Sequence, residues 1–244
     1  LKEGDTYRIN GSKTFITNGD VADLILVFGK WAGIDDPKKA ISAVVFEKGT
    51  PGFEVLRLED KMGHRASSTA AISFNGSRVP RKNLIGEPGD GLKILLASLN
   101  KSRPSIAAHA LGIATAAFND MTAYINERKA GGKRIAEFQG NQFMLADLAS
   151  ELAMTENWLD YVCGLIDGGA SDFSLEASIA KLRASDLAMR MTTEAVQMHG
   201  GYGYCKDFRV ERLMRDAKIT QIWEDRKSTR LNSSHGYISY AVFC

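Results

Sequence analysis

GEPGDGLKILLASLNKSRP (86–104) changes character in its middle, and that change decides the architecture. Before it, residues 1–88 hold short β-rich runs: YRINGSKTFITNG, ADLILVFGKW, ISAVVFEKG, FEVLRLE and AAISFNGSRVP, punctuated by Gly, Pro and Asn. Such closely spaced runs predict an antiparallel barrel or sandwich rather than βαβ units. From Asp90 onward the apolar residues recur at helical period. That periodicity predicts helices over about 91–128, 134–168, 173–199 and 207–215, with Arg103-Pro104 marking a kink or a helix start. The fold class is therefore α+β, an antiparallel β-barrel domain (1–88) followed by an antiparallel helical bundle (89–224). Three long amphipathic helices leave a four-helix bundle incomplete, so an apolar face is expected for a missing helix or a partner subunit to cover.

Composition excludes several function classes. The 244 residues carry 31 basic and 29 acidic side chains, a formal net charge of +2, and these are interspersed rather than massed. That balance gives no support to nucleic-acid or membrane-surface binding. Apolar runs such as LILVF (24–28) are too short to span a membrane, and no signal-peptide pattern opens the chain. Cys163, Cys205 and Cys244 are scattered without metal-ligand spacing, so no metal site and a reducing compartment are expected.

Four stretches could carry chemistry. KTFITNG (13–19) runs a strand into an Asn-Gly turn, with Thr17 as a hydroxyl and Phe15 as an aromatic wall if a ligand binds there. NERKAGGKRI (126–135) reads as a solvated basic loop, or as one in which Arg128 holds a phosphate through its planar fork. QMHGGYGY (197–204) ends a helix with three glycines in four residues, more than a C-cap needs, which suggests close backbone approach to something flat or phosphorylated. No strand precedes it, so it is not the dinucleotide fingerprint, and His199 reads as a packed or capping residue. VERLMRDAKITQIWE (210–224) places Glu211/Arg215 and Arg212/Asp216 at i,i+4 spacing as a solvated face. Glu224 follows the apolar ITQIW, and a carboxylate held against an apolar wall can accept a proton near neutrality.

Taken in order, NGSKTFITNG, KMGHRASST, FNGSRVP, GEPGDGLKILLASLNKSRP, ALGIATAAF, ERKAGGKRIAEFQ, AVQMHGGYGY and ERLMRDAKITQIWE resemble the acyl-CoA dehydrogenase family, most closely its medium-chain type. The resemblance runs from residue 1 to Glu224. It implies FAD bound between the β domain and the bundle, with a second subunit of a homotetramer completing the site. By the same resemblance Phe15, Ile16 and Thr17 flank the flavin ring, while Arg128 and Gln139 contact the adenosine-diphosphate part of an FAD bound mainly by the neighbouring subunit, and Gln197 through Gly201 (Gly200 and Gly201 included) lie along that same cofactor. Asn100, Lys101, Ser102 and Arg103 would meet the CoA part of the substrate, and Glu224 falls on the catalytic base. Some members carry the base at the position of Ser102, which serine cannot serve. The implied reaction converts an acyl-CoA to a trans-2-enoyl-CoA and passes electrons to an electron-transfer flavoprotein, in the bacterial cytoplasm or the mitochondrial matrix. The alternatives are an acyl-CoA oxidase-like enzyme or a non-catalytic flavin-binding member of the fold. Two positions depart from the family pattern: Gly131 replaces a phenylalanine beside FAD, and Asn100 replaces an acidic residue.

At both ends the resemblance stops abruptly. Residue 1 falls just after the family's TEP…GSD flavin segment, and the N-terminal helical domain is not in the sequence. After Glu224 the family continues with Gly-Thr and a last helix, whereas this chain reads DRKSTRLNSSHGYISYAVFC (225–244). That tail back-translates in frame into a sequencing-library adapter, so residues 225–244 are expected to be non-native and the chain an inactive fragment. The adapter's first base would supply the third base of codon 224, leaving Glu or Asp as the native residue; the resemblance selects Glu.

Overall fold

The computed structural model describes residues 2–223 and 241–243. The chain divides into two compact units with the boundary between Ser98 and Leu99.

The first unit is a β structure. Its strands are β1 (Lys2–Glu3), β2 (Thr6–Thr17), β3 (Leu24–Trp31), β4 (Ile41–Glu47), β5 (Phe53–Leu58), β6 (Thr69–Pro80) and β7 (Leu84–Ile85), with a one-turn helix α1 (Pro37–Ala40) before β4. A further strand at 241–243 lies between β2 and β3, antiparallel to one and parallel to the other. The remaining pairings are antiparallel. The sheet path runs from β5 to β7 without closing, so the expected barrel is an open sheet among the described residues. Closure requires the end strands to pair, and β7 is only two residues long.

The core of this unit follows the strand alternation. Tyr7 and Ile9 of β2, Val44 and Phe46 of β4, and Ile72, Phe74 and Val79 of β6 are buried together. Phe46 meets Phe74 edge-on at 4.9 Å between ring centroids, and Phe53 closes the trio. A bulge between Lys13 and Ile16 breaks the β2–β6 register. A bulge re-aims side chains, and here it leaves Phe15 at a φ of 59° with its ring 73 % exposed.

The second unit is helical: α2 (Gly91–Glu127, begun in the first unit), α3 (Gln139–Asp167), α4 (Ser174–His199) and α5 (Val210–Thr220). Pro104 lies inside α2 rather than at its start, and the helix continues through it. Small residues set the packing. Ala107, Ala110, Ala114 and Ala117 on α2 and Ala177, Ala180, Ala184 and Ala188 on α4 recur at three- and four-residue spacing and are buried. The close backbone approaches are those of α4 to α3 and α5, with Met121, Ile125, Leu148 and Met191 filling the rest of the core. Phe143, Met154 and Tyr161 fall on one side of α3 and remain exposed, an uncovered apolar stripe on that helix.

On α5, Arg215 donates to both carboxylate oxygens of Glu211 at 2.8 and 2.9 Å. That bonding holds the Glu211 carboxyl below its ordinary value of 4.5. A depressed carboxylate contributes stability above its unfolded value and loses it as pH falls through the folded one. Arg215→Ala is therefore expected to lower the melting temperature slightly at about pH 6, and the difference should vanish by about pH 3 in thermal melts.

Candidate functional site

The end of α4 builds a cavity. The helix stops because Gly200 adopts φ 59° and ψ −139°, a backbone region that only glycine enters readily. The chain then makes a tight turn over Gly200–Tyr204. A Cβ on Gly203 would lie 2.5 Å from the Val196 carbonyl oxygen, so this glycine is required by the turn's own packing. Gly201 differs, because a Cβ there would meet nothing within 4 Å. Two of the three glycines therefore serve the fold, and the one between them is open.

His199 forms the floor. It is 4 % exposed, and its Nδ1–H donates to the Ala195 carbonyl at 2.7 Å. Its ring stacks on Tyr124 at 4.1 Å and meets Phe208 edge-on at 5.2 Å. This is the packed histidine that the sequence suggested. The Arg128 guanidinium stands 5.7 Å above the Tyr202 ring. Its backbone N–H donates to Tyr124 at 2.9 Å, at the end of α2. The cavity has a volume of about 420 Å³, and Tyr124, Arg128, Gln197, His199, Gly200 and Gly201 are among its lining residues.

Behind Arg128 a two-residue hairpin pairs β8 (Lys129–Ala130) with β9 (Lys133–Arg134). Its turn residues Gly131 and Gly132 have φ values of 58° and 83°, the pair of positive angles that a tight hairpin turn demands. Gly131 is therefore a turn residue here.

The structure brings Arg128, Gln197, Gly200 and Gly201 together. Gln139, exposed at the start of α3, is not among the residues lining the cavity. Arg103 is half-buried on α2, where Nη1 donates to Asn100 Oδ1 at 3.1 Å and to Ser178 Oγ on α4 at 3.0 Å. Ser102 Oγ donates to the Leu99 carbonyl at 3.2 Å, and Lys101 is exposed. On the β unit, Thr17 ends β2 exposed while Ile16 packs against the sheet core. Lys13, two positions before Phe15, is held below the usual lysine range by burial. Glu224 and nearly all of the expected non-native tail lie outside the described residues.

Sequence reasoning missed Tyr124 and Tyr202 as cavity walls. The i,i+4 spacing of Tyr124 and Arg128 at one helix end was a usable signal. Nothing local marked Ser178 as the partner of Arg103. A second cavity of about 440 Å³, between α3 and α4, contains none of the expected site residues.

The cavity suits the diphosphate and sugar of a dinucleotide. It offers a guanidinium, an amide side chain and an open glycine where backbone can come close to a ligand. Among the described residues no helix is long and apolar enough to cross a membrane.

Comparison with known proteins places both halves. Residues 1–77 match the family description "acyl-CoA dehydrogenase, middle domain", and residues 89–225 match "acyl-CoA dehydrogenase, C-terminal domain". The chain is 47 % identical over 224 residues to a short-chain specific acyl-CoA dehydrogenase of Clostridium acetobutylicum, covering 91 % of this chain and 58 % of that protein. It superposes on the butyryl-CoA dehydrogenase of Megasphaera elsdenii with a TM-score of 0.89 at 44 % identity, covering 94 % of this chain and 60 % of that one. A chain from a structure described as an electron transferring flavoprotein of Acidaminococcus fermentans gives a TM-score of 0.89 at 43 % identity, covering 96 % and 61 %. The chain thus spans less than two thirds of the relatives it matches. With its β unit and its helical unit each matched in order, this chain belongs to the acyl-CoA dehydrogenase family.

Proposed function

We propose that the whole protein to which this chain belongs oxidises an acyl-CoA to its trans-2-enoyl-CoA with bound FAD and passes the electrons to an electron-transfer flavoprotein. One observation carries the reading. Arg128, Gln197, Gly200 and Gly201 come from the C-terminal ends of two long helices and line one cavity whose donors suit a dinucleotide.

FAD, when bound, supplies the hydride acceptor for the β-carbon. The protein's own groups do the rest. Glu224 takes the α-proton, and its backbone N–H donates to the thioester carbonyl, where negative charge develops. Arg103, braced by Asn100 and Ser178, holds the CoA moiety with its remaining donors. Phe15 and Thr17, exposed at the end of β2, would lie beside the flavin ring, while Arg128 and Gln197 would hold the diphosphate and ribose of the FAD bound mainly by the neighbouring subunit. Gln139 contributes from the start of α3. The exposed Phe143, Met154 and Tyr161 face supports assembly into a homo-oligomer, for which a tetramer is the family's form. The flavoprotein named among the similar structures supports the choice of electron acceptor.

The test is anaerobic titration of the full-length yellow protein with acyl-CoAs of graded length, starting from butyryl-CoA because relatives bear short-chain names. Bleaching of the flavin band by one length class is the expected result. Bound flavin that no acyl-CoA reduces would sink the assignment, and rapid reoxidation by oxygen would turn it to an oxidase.

A further inference from the structure

Two non-glycine residues near the end of β2 hold the left-handed backbone region, Phe15 at φ 59° and Asn18 at φ 56°. For a bulky residue that region is strained, and it persists only where the surroundings over-determine it. The surroundings here are the segment 61–69, which leads into β6. Ser68 grips the turn after Thr17 at two points. Its carbonyl accepts the Asn18 N–H at 3.0 Å, and its hydroxyl donates to Asp20 Oδ1 at 2.5 Å. The next residue along, Thr69, is the strand partner of Thr17 itself.

Ser68 is held in turn. Lys61 is half-buried, and its Nζ donates to the Ser67 carbonyl and, at 3.0 Å, to the Thr69 hydroxyl, so it bonds both neighbours of Ser68. The Ser67 N–H donates to the His64 carbonyl at 3.1 Å, and the Glu59 N–H to the Thr69 carbonyl at 2.8 Å, which closes the segment on itself. On the far side of the turn Lys48 Nζ donates to the Asp20 carbonyl at 3.1 Å. A turn that only joins two strands needs no such clasp. The Asn-Gly pair already closes it with local bonds, Gly19 N–H to Ile16 at 3.2 Å and Ala22 N–H to Asn18 at 2.8 Å. What the clasp adds is a fixed place for the two exposed side chains just before the turn, Phe15 and Thr17.

We propose that Ser68, clasped by Lys61, is a positioning residue for the flavin-facing end of β2: it holds the strained Phe15–Thr17 backbone in the arrangement that presents the aromatic ring and the hydroxyl to the flavin. The proposal rests on the reading of Phe15 and Thr17 as flavin neighbours and deepens it. Ser68 acts through Asn18 and Asp20, and Lys61 acts through Ser67 and Thr69.

The experiment uses the full-length holoenzyme with Ser68→Ala and Ser68→Thr. Three readings are taken: hydrogen–deuterium exchange of peptides covering residues 13–22, the visible absorption band of the bound flavin, and the rate of flavin reduction by saturating butyryl-CoA per bound flavin. For S68A, exchange in that segment is expected to quicken about tenfold, the band to shift, and reduction to slow about tenfold. The Kd for FAD should change less than about threefold, because this segment meets only the ring. S68T keeps the hydroxyl and should restore all three readings. If S68A does not accumulate as holoenzyme, Asp20→Ala removes the same bond from its other side and is read in its place. Faster exchange with an unchanged band and rate would make Ser68 a brace of the fold alone and overturn the proposal, as would unchanged exchange. Wild-type flavin that no acyl-CoA reduces would sink the proposed reaction instead, and exchange and the band would then decide the role of Ser68.

Discussion

Glu224→Gln in the full-length enzyme is expected to lower kcat by about 10²- to 10⁴-fold while flavin content and acyl-CoA binding stay near wild type. Glutamine keeps the shape and length of the side chain but cannot take up the α-proton. The backbone N–H at 224 is untouched, so polarisation of the thioester should survive the change. A residual rate above water's would then measure that surviving part. The measurement is stopped-flow reduction of the flavin by a saturating acyl-CoA. A variant that reduces its flavin within tenfold of wild type would place the base elsewhere.

Gly203→Ala should be the most damaging single methyl group near the cavity. Its Cβ would lie 2.5 Å from the Val196 carbonyl and 2.8 Å from the His199 Cβ, neither of which can yield without moving the end of α4. A stability loss of about 3 kcal/mol is expected in denaturant titrations of the apoprotein, with loss of FAD following from it. Gly201→Ala, two residues away, separates fold from function. Its Cβ meets no protein atom within 4 Å, so the apoprotein should melt as wild type. FAD binding should nevertheless weaken about tenfold, because the added methyl occupies ligand space. If both variants melt alike and bind alike, the turn does not divide its glycines in this way.

Much of this architecture was legible because local signals agreed with the final packing. The change at Asp90 marked the real passage from strands to helices, since two-residue and helical periods cannot be satisfied by one backbone. The helix ends at Asp167 and His199 fell where glycines follow. Pro104 misled in part. A proline forbids its own hydrogen bond but not the helix around it, and tertiary burial from Ala107 to Ile125 carries α2 through. Closure of the sheet was not legible, because it depends on which end strands meet, and short-range patterning says nothing about that. At the site, the surplus glycine was visible but its meaning was not. Sequence could not tell that Gly203 faces its own backbone while Gly201 faces open space. The burial of Lys181 on α4 was equally hidden, since a lysine in an amphipathic helix normally reads as surface.

The pairing of β2 with β6 has a bearing on how the protein is made. Their register runs from Thr6↔Pro80 to Thr17↔Thr69, so β2 must wait for β3, β4 and β5 to be synthesised before its partner exists. Closing so long a loop costs entropy before any ladder bond forms, whereas α3 and α4 meet across a short connection. During that wait the β-rich half presents open strand edges and the rings of Phe46 and Phe53 without their Phe74 partner, and the helical half has no such edges. The slow and aggregation-exposed step in biogenesis is thus the meeting of the two longest strands.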